Sequence, residues 1–133
     1  MIWQDILVDK NLDFQNIALE LAKIFEVNLS EVLVLEEITD TPIPQNIAIL
    51  CQAQATLGDF KMLLSIYIHE QTLFKKCTIT NCIPKFCDSL ECVCLVSDGS
   101  INPYTMLLVT GNAEWKSVSL SPSELEENRY ILV

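Results

Sequence analysis

Glycine is scarce in this chain, three residues in 133, and a loop that cradles phosphate by close backbone approach has no raw material. Histidine is scarcer still: His69 is the single one, so the usual carrier of protons near neutral pH is present once. It falls on the mixed face of an expected strand beside Glu70, as a rim histidine would, and a thiol–imidazole pair is not expected. H-E-x-x-H, G-x-S-x-G and EF-hand patterns are missing as well. No catalytic, cofactor-binding or metal-binding residue is assigned, and a non-enzymatic role is expected, with no cofactor.

Long apolar runs are also missing. A bilayer-spanning helix needs about 20 consecutive apolar residues, whereas the apolar stretches here, such as 47–51 and 106–109, have the length of strands. The first residues carry no basic segment, no sustained apolar core and no small-residue cleavage site, so a cytoplasmic protein is expected. Basic residues are few, eight against eighteen carboxylates, for a net charge of −10. That field repels phosphate backbones and anionic lipid, which excludes nucleic acid and membrane as expected partners. It favours a basic protein partner, although solubility alone also accounts for it.

Half of the residues are apolar and one-fifth charged, the composition of an ordered chain rather than a disordered one. The length suits one core, and no linker, repeat or low-complexity tract divides it, so residues 1–133 are read as a single domain. The expected class is α+β: an N-terminal helix packed on a mainly antiparallel, strongly twisted sheet of about five to seven strands built from hairpins. Phe14, Ile17, Ala18, Leu21, Ala22 and Phe25 recur at helical spacing after Asn11 and Asp13, either of which can cap the first turn. Residues 1–8 read as either a short strand or a short helix, with helix preferred because Ile2, Trp3, Ile6 and Leu7 fit an i, i+1, i+4, i+5 pattern. Residues 31–38 read as a strand before the breaker cluster at 39–44.

The clearest β signal is a long hairpin, 46–56 and 60–69, turning at Leu57-Gly58-Asp59. Residues 70–83 read as a loop or short helix. Strands are expected at 90–97, 104–110 and 114–120, with Gly111-Asn112 as a tight turn. Ser121-Pro122-Ser123-Glu124 opens a brief helix to Asn128, and Tyr130 to Val133 form a last strand.

Six cysteines, at 51, 77, 82, 87, 92 and 94, would suggest disulfides in a secreted domain; with no export signal, free thiols are the default. The even spacing of Cys77, Cys82, Cys87 and Cys92 invites a zinc tetrathiolate, but the short C-x-x-C knuckles typical of such sites are missing. Cys92 and Cys94, with Leu90 and Val96, read instead as small apolar residues on one face of a strand. Cys82 and Cys87 flank a presumed turn at 83–86, which would allow a reversible disulfide.

These features favour a module that binds another protein: an antitoxin- or immunity-like neutraliser, a chaperone-like protein or an adaptor. Glu31, Glu36 and Glu37, with Glu124, Glu126 and Glu127, are the carboxylates to meet a basic partner. The alternative is a small-molecule- or metal-binding module with a pocket between helix and sheet. A homodimer is compatible with either.

Overall fold

The computed structural model describes residues 2–37, 43–69 and 78–133. Its elements in chain order are β1 (Ile2–Val8), α1 (Phe14–Phe25), a 3-10 turn (Leu29–Glu31), β2 (Val32–Leu35), β3 (Ile49–Ala55), β4 (Leu57–Gly58), β5 (Met62–Ile68), α2 (Ile79–Leu90), β6 (Cys94–Ser97), β7 (Thr105–Val109), β8 (Trp115–Ser119), α3 (Pro122–Glu126) and β9 (Arg129–Tyr130). Seven strands form one sheet in the order β2-β3-β5-β1-β6-β7-β8, while β4 and β9 pair separately. All neighbours in the large sheet are antiparallel except β2 with β3. The α+β class, the helix on the sheet and the hairpin construction are as expected.

Helix α1 starts where Asp13 accepts a hydrogen bond from the Gln15 backbone N–H at 2.7 Å, satisfying one of the orphan donors of the first turn. Ile17, Ala18, Leu21, Ala22 and Phe25 are buried against the sheet. Phe14 is the exception in the stripe, 38 % exposed at the helix entrance.

The short helix expected at residues 1–8 is a strand. β1 lies at the middle of the sheet between β5 and β6, and Ile6, Leu7 and Val8 are buried in succession. A central strand packed on both faces loses the simple alternation that marks a half-buried one, and three successive apolar positions then resemble a helical pattern. A register shift between Ile2 and Gln4 leaves Trp3 as an extra residue, a bulge. The Trp3 ring meets Phe25 of α1 edge-on, with centroids 5.2 Å apart.

The long hairpin forms as read, with β3 and β5 in continuous register from Ile49↔Ile68 to Ala55↔Met62. The presumed turn at 83–86 does not: it lies inside α2. Pro84 suggested a break, because proline removes a backbone donor in a helix interior. Instead Cys82, Ile83, Phe86 and Cys87 share one buried face of α2 at helical spacing, and that burial holds the helix through the proline. The strand expected at 90–97 is correspondingly shorter, since Leu90 closes α2 and β6 begins at Cys94. The expectation for 70–77, and that for 38–42, fall outside the described residues.

Side chains from β1, β3, β5, β6 and β7 that face α1 and α2 make the main core. A smaller cluster, Leu7, Phe60, Leu95 and Leu120, lies on the other face of the sheet. The C-terminal segment covers it there. Leu120 bridges Leu132, the Asp59 N–H donates to the Tyr130 carbonyl at 2.8 Å, and Asp59 Oδ2 accepts from the Leu132 N–H at 2.9 Å. The expected last strand is thus split into β9 and a single bridge at Leu132.

Candidate functional site

Two places combine unusual chemistry with a defined geometry. One is a thiol cluster at the end of α2, and the other is the part of the sheet that the C-terminal segment leaves open.

The thiol cluster arises from the way α2 stops. Glu91 adopts a left-handed conformation at φ 51°; the Cys92 N–H donates to the Cys87 carbonyl at 3.0 Å, and the Glu91 N–H donates to that of Asp88 at 3.4 Å. This is the paired hydrogen-bond pattern of a Schellman stop, which sets the residue after the left-handed one beside the residue five earlier. Here those residues are Cys92 and Cys87. Two positions later Cys94 enters β6 with its side chain on the helix-facing side, opposite Val8 and Val109. The Sγ atoms of Cys87, Cys92 and Cys94 all lie within 4.8 Å of one another, and the three residues are 1 %, 5 % and 0 % exposed.

Two residues after β1 clamp this stop. Asp9 Oδ1 accepts from the Val93 N–H at 2.9 Å, and the Asp9 N–H donates to the Val93 carbonyl at 3.1 Å. The Lys10 ammonium donates to the Glu91 carbonyl, where a cation meets the negative end of the α2 dipole.

Crowding of three thiols sets their order of ionisation. Cys87 is held well below the ordinary thiol range, because Cys92 and Cys94 donate hydrogen bonds to its thiolate. Cys92 and Cys94 are pushed up by the same hydrogen bonds to Cys87, with burial adding to the effect. As a thiol, Cys87 also reaches the Val109 carbonyl at 3.5 Å, a contact that works against ionisation; two donors outweigh that one acceptor. Cys51 is unrelated to this group, and burial alone pushes its thiol up to about 12.

Cys82 is disulfide-bonded, whereas Cys87 is a free thiol. The Cys82–Cys87 pairing considered from the sequence is therefore replaced, and Cys82 cannot join a tetrathiolate with Cys87 and Cys92. The sequence reading treated Cys92 and Cys94 as packing only and missed their convergence with Cys87. The signal was C-x4-C-x-C astride a helix end that carries no glycine.

The sheet face turned away from α1 and α2 is built by strand alternation, and at Leu7 and Leu95 it is buried beneath the C-terminal segment. Gln54, Leu63, Leu7, Leu95, Leu108 and Lys116 stand in register across six neighbouring strands, an apolar row with polar ends. Beside it runs a groove of about 430 Å³ lined by Trp3, Gln4, Asp5, Leu7, Leu63, Leu95, Ser97, Met106 and Tyr130. Towards β2 the same face continues through Ser65, Gln52 and Leu35, all half-buried.

Among the acidic candidates, Glu31, Glu36 and Glu37 flank β2, one edge of the sheet, while Glu124, Glu126 and Glu127 belong to α3 and its end, where Leu125 packs on the cluster around Leu7 and Leu95. Glu36, Glu37, Glu126 and Glu127 are exposed and Glu31 is half-buried; Glu124 pairs with Arg129. His69 lines a separate hollow with Val27, Glu31, Gln45, Asn46, Ile47 and Ala48. Between the described helices and the sheet lies a hollow of about 10 Å³, bounded by Trp3, Phe25, Phe86 and other apolar side chains, about the volume of one water. No described helix is long and apolar enough to cross a membrane.

No protein-family model, no curated protein and no solved structure matches this chain.

Proposed function

We propose that this protein is a non-enzymatic binding module, antitoxin- or immunity-like, chaperone-like or an adaptor, whose open sheet face takes an extended, basic-flanked segment of another protein. The observation that carries the reading is the groove beside the Leu63–Leu7–Leu95 row, where Trp3, Leu63 and Met106 remain half-buried next to the buried Leu7 and Leu95. Its lining offers those three half-buried side chains to a partner's apolar side chains, and its rim carries the exposed Asp5. Apolar anchors surrounded by polar groups are the usual anatomy of a protein interface. The excess of carboxylates, net −10, adds steering of a basic partner at low salt. Glu31, Glu36 and Glu37 beside β2, with Glu124, Glu126 and Glu127 on and after α3, add to that field. The same field disfavours nucleic acid and anionic membrane.

We read the protein as cytoplasmic, and the edges of the sheet, β2 and the part of β8 before Ser119, where the Val133 N–H donates to the Ser119 carbonyl, as the places where a homodimer would form.

The test is affinity capture from lysate of the source cell at low and high salt, with wild type and a variant in which the six glutamates are changed to lysine. A stoichiometric basic partner that is lost as salt rises and recovered poorly by the variant supports the reading. Capture indifferent to both salt and charge reversal, or no stoichiometric partner at all, overturns it.

A further inference from the structure

The three thiols at the end of α2 carry a second inference, independent of the sheet face. We propose that Cys87, Cys92 and Cys94 form a three-coordinate thiolate site for one soft d10 cation, monovalent copper.

Three observations lead there. The Sγ atoms lie within 4.8 Å of one another; an ion bound to each at about 2.3 Å needs sulfurs roughly 4 Å apart, so small side-chain rotations complete the triangle. The backbone that carries the ligands is fixed on both sides: the helix stop joins Cys87 to Cys92, and Asp9 holds Val93 between Cys92 and Cys94. Ligand positions held by such outer contacts are what a metal site requires. The sulfurs are also almost wholly buried, and among the described residues no fourth His, Cys, Asp or Glu ligand joins the cluster.

That last pair of facts selects the metal. Zinc takes four ligands, and with three from protein it keeps a water, whereas this cluster offers three sulfurs in residues that are almost wholly buried from solvent. Monovalent copper is satisfied by soft thiolates at low coordination number. Binding releases thiol protons to solvent and needs no oxidant or reductant.

Packing alone is the competing account, and α1 shows what packing alone looks like. It ends in the same stop, with the Val27 N–H donating to the Ala22 carbonyl at 3.0 Å and Glu26 left-handed at φ 55°. The paired side chains there are Ala22 and Val27, and no sulfur is needed. At the end of α2 both positions are cysteine, and a third cysteine joins from β6.

The experiment titrates the full-length protein with monovalent copper in the absence of oxygen and of reductant, so that the Cys82 disulfide stays closed, against a chromogenic copper chelator. One equivalent withdrawn from the chelator is expected. Cys87→Ser, Cys92→Ser and Cys94→Ser should each weaken retention by at least about tenfold, while Cys51→Ala retains it. X-ray absorption of the loaded wild type, which needs no variant to fold, should show three sulfur neighbours around copper. Copper left with the chelator, fewer than three sulfurs, or uptake of zinc but not copper would each overturn the assignment.

Discussion

Asp9 holds Val93 from both sides of one residue: its carboxylate accepts the Val93 N–H at 2.9 Å and its own N–H reaches the Val93 carbonyl at 3.1 Å. The contact spans most of the chain. It ties the end of the central strand β1 to the link between α2 and β6, and so sets where Cys92 and Cys94 sit. Asp9→Ala removes a charge-assisted hydrogen bond and leaves a half-buried N–H without a partner, which should cost about 1.5–3 kcal/mol. Asp9→Asn keeps an acceptor and should lose less. Urea unfolding of the two variants checks the order; equal losses would mean that the carboxylate charge, not the acceptor, matters.

Both long helices end in a glutamate with positive φ, Glu26 and Glu91, where a side chain is strained and glycine is not. Glu26→Gly should raise stability by about 0.5–1 kcal/mol, read as a higher urea midpoint at unchanged slope. A drop would show that the Glu26 side chain contributes more than its backbone strain costs.

Gly58 presents the opposite case. At φ 103° a Cβ there would lie 2.6 Å from the Tyr130 carbonyl oxygen and 2.8 Å from its nitrogen, backbone atoms that cannot yield as a flexible side chain would. Gly58→Ala should separate β9 from β4 and loosen the C-terminal segment, costing about 1–3 kcal/mol. Faster amide exchange confined to residues 129–133 and 57–59 would mark the release; unchanged exchange there would refute it.

Cys51 makes a pH prediction. Its thiol pKa is raised from 9.0 to about 12 by burial, so the unfolded chain loses this proton before the folded one does. The stabilisation is fully present below pH 9 and is lost as pH rises from there towards 12, with a slope of at most about 1.4 kcal/mol per pH unit. The wild-type stability curve should fall more steeply in that window than that of Cys51→Ala. Parallel curves would contradict the burial account.

The elements that read correctly from sequence are those with one buried face. In α1 the stripe from Ile17 to Phe25 repeats at 3.6 residues, and in β5 Met62, Leu64, Ile66 and Ile68 alternate cleanly with half-buried neighbours. Failures come where burial is two-sided or where a local signal is overridden. β1 is packed on both faces, so its period is lost. Pro84 announced a turn, but the buried face of α2 prevailed. The thiol cluster was hidden for another reason: Cys87 and Cys92 meet through a glycine-free helix stop, and a left-handed glutamate leaves no mark in the sequence. The apolar row Leu63–Leu7–Leu95 depends on strand order, which places residue 7 between residues 63 and 95 and which no local pattern encodes.

The sheet face is the central claim, and Leu63 tests it. Leu63 is half-buried in the groove floor beside Leu7, while Leu19 is exposed on α1 on the other side of the sheet. Binding of the captured, purified partner should be measured by calorimetry for wild type, Leu63→Glu and Leu19→Glu, each checked for an unchanged fold by circular dichroism. The account predicts that Leu63→Glu weakens binding by about 2 kcal/mol or more, roughly thirtyfold, and that Leu19→Glu binds as wild type does. Wild-type affinity in Leu63→Glu, or equal losses in both variants, would contradict it.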